Sequence, residues 1–182
     1  LDVMNEYSNI CRYIDIPLQH ISETVLKSMN RGGTPQQMYN LIERIRNKVP
    51  GIAIRSTLIS GYPTETREHH KELLQFVKDI EFDRLGFFSY SQEEGTPAFP
   101  LGDPIKEREK NRRLEELIAT QEEISLKLNK QNVNSVMKVI VDDANRDYYI
   151  ARSEFDSPDV DQNVLIRKKG LQGKLQTGEF YN

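Results

Sequence analysis

The chain has 182 residues, with 25 lysines and arginines against 28 aspartates and glutamates and a formal net charge of -3. That length fits one large domain or two unequal ones, each with its own core. The acidic balance excludes a protein that grips nucleic acid by bulk electrostatics, so a protein or a small molecule is the expected partner, with a local basic patch as the exception. Cys11 is the single cysteine, which rules out an internal disulfide and a set of cluster-binding thiolates from this chain alone. No apolar run nears the roughly 20 residues that cross a bilayer, and nothing at the start reads as a signal peptide. No membrane partner is expected, and a reducing cytoplasm is the expected location.

Residues 1–12 read as the end of a helix feeding a strand over Tyr13 to Leu18, with Gln19 and His20 at its carboxyl end. Ser22 is an N-cap candidate, Val25, Leu26 and Met29 keep helical spacing, and Gly32 and Gly33 stop that helix. Thr34 then caps Pro35, and Met38, Leu41, Ile42 and Ile45 follow the i, i+3, i+4, i+7 rhythm of a second helix up to Pro50. Ile52 to Ile59 reads as a strand, and Ser60 to Pro63 as a turn. Thr64 or Thr66 caps a third helix with Leu73, Leu74, Val77 and Ile80 on its buried face. His69 and His70 are adjacent on that helix, so they point in different directions and read as surface. Leu85 to Tyr90 is a buried strand, after which Glu93 and Glu94 lie in a polar loop turned by Gly95, Thr96 and Pro97.

Strand, helices, strand, helix, strand implies a parallel sheet with right-handed crossovers. Three strands cannot close a barrel, so residues 1–100 read as the half of a larger domain whose other half lies upstream. From Asp103 the composition turns charged. Asp103 and Pro104 open a long connecting helix, with a stripe of Leu114, Leu117, Ile118, Ile124 and Leu128 and an otherwise solvated face; an RNA-contacting helix is the other reading. Beyond residue 135, VMKVIVD, YYIARS and NVLIRK are short strands, with turns at Asp142 to Asp147 and Ser157 to Gln162, in a small antiparallel β-barrel or sandwich with one strand still owed.

Loops after the carboxyl ends of strands carry the ligand sites of α/β sheets. IPLQH (16–20), VLKSMNRG (25–32), IRSTLISGYPTET (54–66) and FDRLGFFSYSQEEGTPA (82–98) resemble, in order and spacing, the methylthiotransferase branch of the radical S-adenosylmethionine enzymes. PLQH, YSQEEGTPA and FDSPDVD (155–161) are similar to the ribosomal-protein aspartate methylthiotransferases rather than the tRNA-modifying group, which usually has SPRPGTPA at the loop. Thr64 departs from the family's usual glycine.

The resemblance implies the back half of a radical-enzyme (β/α) barrel over 1–100, a connecting helix over 101–134 and an incomplete TRAM-like β domain over 135–182. It implies methylthio addition to the β-carbon of an aspartate of a small-subunit ribosomal protein. The cofactors it implies are S-adenosylmethionine and two four-iron four-sulfur clusters whose ligands lie outside this chain, with an electron donor as partner. The family's deoxyadenosyl radical needs a dry barrel mouth, and this chain alone is expected to be inactive.

On the cofactor side the resemblance places Gln19, Arg55, Thr57 and Gly61. Arg55 and Thr57 share a strand face, and an inward Arg55 needs a carboxylate, the cofactor's own being the natural candidate. Gly61 is either a close approach to the cofactor or a plain strand-to-helix turn. On the substrate side it places His20, Tyr90, Gln92, Glu93 and Glu94, with His20 equally readable as structural and the carboxylates as orienting groups rather than acid-base catalysts. No residue is assigned a catalytic or metal-ligating role. Asp156, Asp159 and Asp161 offer charge complementary to a basic ribosomal protein. Arg167, Lys168 and Lys169 are the one basic run, leaving an RNA contact through the β domain open. A tRNA adenosine methylthiotransferase and a non-catalytic RNA- or protein-binding module are the alternatives.

Overall fold

Hydrophobic alternation in one strand organises the larger half of the molecule. The computed structural model describes residues 1–182, which divide into two compact units, Ile14–Gln131 and Leu1–Tyr13 with Asn132–Asn182. In the first unit, the sheet has the order β1 (Tyr13–Asp15), β2 (Ala53–Ser60), β3 (Arg84–Ser89). β2 pairs with β3 in parallel from Arg55↔Arg84 to Ser60↔Ser89, and a parallel bridge joins Gln19 to Leu58. Ile54, Ser56, Leu58 and Ser60 on β2 are fully buried, whereas Arg55, Thr57 and Ile59 are half-buried. One face of the sheet is thus covered more fully than the other, which carries Arg55 and Thr57 beside Ile59.

Helices α2 (Glu23–Ser28), α3 (Pro35–Lys48) and α4 (Arg67–Ile80) connect the strands. Capping boxes start two of them: Thr34 with Gln37, and Thr66 with His69, each exchanging side-chain and backbone hydrogen bonds at both ends. Their apolar stripes meet in a core that includes Ile42, Ile45, Leu73, Phe76, Val77 and Phe82, with Phe76 edge-on to Tyr39 and to Phe82 at 5.2 and 5.6 Å.

Several boundaries differ from the sequence reading. α2 ends at Ser28 because Asn30 takes φ 57°, before Gly32 and Gly33 are reached. The long helix α5 begins at Glu107 and runs to Gln131. Asp103 is not its cap, because its carboxylate is 2.7 Å from Lys110 Nζ. Nor is the polar side of α5 simply solvated. The helix packs on α4 and β3, and its buried residues are Lys110, Arg113, Leu117, Gln121 and Ile124, while Ile118 is exposed. β3 is the edge of this sheet and is half-buried rather than buried, with Phe88 exposed on the open face.

In the second unit, α1 (Asp2–Glu6) accompanies an antiparallel sheet of order β6 (Val164–Arg167), β5 (Tyr148–Ser153), β4 (Val139–Ala144), β7 (Phe180–Tyr181). Val139, Val141, Tyr149 and Ala151 form its core, with Val164, Ile166 and Tyr181 against them. A register shift between Val141 and Asp143 carries β4 to Ala144, so the turn is shorter than the stretch from Asp142 to Asp147. Closing the chain with β7 on β4 supplies the fourth strand of the sheet.

The hydrogen bonds of the Thr34 cap are solvent-exposed. Thr34→Ala is therefore expected to lower stability by about 1 kcal/mol, read as a lower urea midpoint with an unchanged slope in unfolding of the 182-residue chain.

Candidate functional site

The chain just beyond the first two strands meets α5 at one buried carboxylate. Glu65, four residues after Gly61, is 4% exposed. Its Oε2 accepts the Gly61 N–H at 2.9 Å and lies 3.5 Å from His20 Nε2; its Oε1 accepts from Arg113 at 2.6 Å. Arg113 also donates to the Glu65 carbonyl and to Glu109. Burial opposes the ionisation of Glu65, but its contacts with His20, Arg113 and the Gly61 N–H outweigh burial and hold the carboxyl below the usual range. His70 is also buried, 2.8 Å from Glu116 and 3.9 Å from Glu65. The reading of His70 as surface is corrected. α5 lies over this part of α4 and encloses it, while His69 does turn outward to close the Thr66 cap.

A second buried cation stands one turn before Arg113. Lys110 Nζ donates to the Tyr90 carbonyl at 3.2 Å and to Asp103 at 2.7 Å, and lies 3.0 Å from Glu107. The hydrogen bond to Asp103 raises its pKa against the opposing effect of burial. Gly61 has φ 77°, and a Cβ there would come within 2.6 Å of Lys110 Cγ. Glycine is thus required by the turn and by the lysine stem.

Gln19 takes φ 70° while its N–H and carbonyl bridge Thr57 and Ile59, an uncommon conformation for a side-chain-bearing residue. On the open sheet face, Arg55 and Thr57 do share a side, as expected, and Gly86 lies beside both. A Cβ at Gly86 would sit 3.7 Å from an Arg55 terminal nitrogen and 3.9 Å from Thr57 Oγ1. The carboxylate that Arg55 was expected to need is present within the chain, since Asp15 lies 3.4 Å from its Nε.

The substrate-side residues are dispersed. His20, expected either on the substrate side or as a structural residue, is fully enclosed, its Nδ1 accepting from the Ser22 N–H. Tyr90 is buried edge-on to Tyr62 at 5.2 Å, with burial first and then Tyr62 raising its pKa. Gln92 donates to the Phe99 carbonyl, Glu93 accepts from Ser91, and Thr96 donates to the Glu93 carbonyl, while Glu93 and Glu94 stay exposed. In the second unit, Asp156 is buried and accepts from the Ser153 N–H, and Asp161 accepts from Tyr13 and from the Ser157 N–H. Of the three aspartates expected to meet a basic partner only Asp159 is exposed, because the other two cap their own turn.

Radical SAM superfamily proteins match residues 1–77 and the TRAM domain family matches residues 133–182. Ribosomal protein uS12 methylthiotransferase RimO from Chloroherpeton thalassium is 47% identical over all 182 residues, which cover 42% of its length. The proteins of that name from Phocaeicola vulgatus and Porphyromonas gingivalis are each 48% identical over 98% and 100% of this chain, covering 41% and 42% of theirs. The chain belongs to the radical S-adenosylmethionine methylthiotransferases, in the RimO branch. It spans about two fifths of the length of the curated relatives it matches. Coproporphyrinogen III oxidase (HemN) from Escherichia coli, a radical SAM enzyme, shares the fold over 62% of this chain and 27% of its own, with a TM-score of 0.54 and 22% identity.

Within this radical-enzyme fold, Gly86 leaves a floor beside a guanidinium and a hydroxyl, a donor set that fits the carboxylate and polar groups of S-adenosylmethionine. No group of three or more His, Cys, Asp or Glu side chains is placed to hold a metal. Sequence reasoning missed Glu65, Lys110 and Arg113. The available signal was that Lys110, Arg113, Leu117, Gln121 and Ile124 share one helical stripe. Glu65→Gln removes the charge that Arg113 meets and is expected to cost about 3 kcal/mol at neutral pH. Because the folded pKa of Glu65 is depressed, its contribution is complete above the ordinary 4.5 and is lost as pH falls through the folded value. The stability gap between wild type and variant, measured by urea unfolding across pH, should narrow below pH 4.5.

Proposed function

We propose that the protein carrying this chain adds a methylthio group to the β-carbon of an aspartate of ribosomal protein uS12. The observation that carries this reading is the likeness to uS12 methylthiotransferases over the whole chain. In this reading residues 1–100 belong to the radical-enzyme barrel, 101–134 connect, and 135–182 form the TRAM-like domain. S-adenosylmethionine supplies the methyl group and the means of hydrogen removal when bound. Two four-iron four-sulfur clusters, held by residues outside this chain, and an electron donor complete the system in the cytoplasm.

The residues of this chain bind, orient and exclude water. Arg55 takes the cofactor carboxylate at the expense of its Asp15 contact, with Thr57, Gln19 and the Gly61 turn on the same side. Glu94, Glu93 and Gln92 meet the substrate from the exposed loop. Their carboxylates orient a basic protein segment and do not transfer protons, since hydrogen removal from an unactivated carbon is the cofactor's chemistry. Asp159 adds attraction from the β domain, and Arg167, Lys168 and Lys169 offer a contact to RNA.

The test uses the full-length protein, anaerobically reconstituted with iron and sulfide and given S-adenosylmethionine, a reductant and one of two substrates. A peptide carrying the uS12 aspartate should gain a methylthio group by mass spectrometry, and a tRNA anticodon stem-loop should not. A gain on the RNA alone would assign the chain to tRNA modification, and a gain on neither would leave a binding module. The 182-residue chain alone is expected to transfer nothing to either.

A further inference from the structure

Lys110 reaches three separate points at the strand ends. Its stem lies under Gly61, with Cγ and Cδ within 2.6 and 2.9 Å of where a Cβ would stand. Its ammonium holds the carbonyl of Tyr90, the last residue before the exposed loop, and the carboxylate of Asp103, just beyond that loop's short 3-10 turn at Phe99–Leu101. The loop in between is tied to itself by Ser91, Gln92 and Thr96. Lys110 is 4% exposed; its bond to the Tyr90 carbonyl is buried and its bond to Asp103 is partly buried. Its neighbour on the same helix, Arg113, secures the other end of the Gly61 turn through Glu65.

We propose that Lys110 is a positioning residue that sets the distance between the cofactor-side turn at Gly61 and the substrate-side loop from Ser91 to Leu101. The proposal rests on the assignment of those two loops made above. The stem and the ammonium do different jobs: methylenes support the Gly61 turn, and the charged head grips both ends of the substrate loop. Each can be removed separately, because methionine keeps an unbranched stem without the donor and alanine removes both.

The test compares Lys110→Met and Lys110→Ala in the reconstituted full-length protein. Lys110→Met is expected to raise KM for the uS12 peptide about tenfold, as loss of hydrogen bonds from a charged donor implies, and to leave KM for S-adenosylmethionine unchanged. Lys110→Ala is expected to raise both. Amide hydrogen exchange on the same proteins should accelerate at residues 91–101 in both variants and at residues 61–65 only in Lys110→Ala. Equal effects of the two variants on both loops, or wild-type behaviour of Lys110→Met in both measurements, would overturn the proposal. If the wild-type protein modifies no peptide, the functional reading fails by itself, and the exchange pattern still decides whether Lys110 spaces the loops.

Discussion

A single buried ion pair, Glu65 with Arg113, fixes how the larger unit can be assembled. A carboxylate taken out of water is costly unless its lone pairs are met by donors with good geometry. Here the donors come from the Gly61 backbone and from α5, with His20 beside the same carboxylate. Arg113 is 48 positions away in sequence, so the pair forms only when α5 lies across α4 and the edge of the sheet. Buried pairs are weak evidence of net stability, but a mispositioned helix would leave two uncompensated charges, which makes this arrangement discriminating.

Local chemistry made much of the fold legible. Thr34-Pro35 with Gln37, and Thr66 with His69, announce their helices because capping is a short-range interaction, and the alternation of β2 reveals a strand with two unlike faces. What stayed hidden depended on distant partners. Asp103 resembles an N-cap, but a buried ammonium attracts it more strongly than free backbone N–H groups at a solvated helix end. The stripe on α5 was read from its leucines and isoleucines alone. Lys110, Arg113 and Gln121 share it because their partners are a turn, a loop and the Phe82 carbonyl that no local pattern announces. His70 was misjudged for the same reason, since Glu116 on α5 completes its enclosure.

The site residues divide along the same line. Arg55 and Thr57 were recoverable because strand geometry alone puts i and i+2 on one face, and the structure adds Gly86 from the neighbouring strand in register with Thr57. A sheet buried on both faces reads as apolar on both. This one places Ile54 and Leu58 toward its helices and Arg55, Thr57 and Arg84, together with Phe88, toward the other side. Asp15 was not recoverable, because a carboxylate at the end of a short strand has no periodicity to place it opposite Arg55. Asp156 and Asp161 looked like a charged patch, but aspartates so close to serines are often consumed by their own turns, as here.

The exposed loop separates shape from position. Its shape is set locally by hydrogen bonds among Ser91, Gln92, Glu93, Thr96 and Phe99, which depend on little beyond the loop. Its position is set at its two ends, where the Tyr90 N–H meets the Ser60 carbonyl and the Tyr90 ring packs against Tyr62, while α5 grips the Tyr90 carbonyl and Asp103. Because the two sets of residues barely overlap, the exposed tip from Gln92 to Gly95 can change its side chains without disturbing the bonds that hold the loop ends. Changes at the ends propagate to Gly61 and Glu65 through α5. The shape of the loop and its position are thereby held by different interactions within one short stretch of chain.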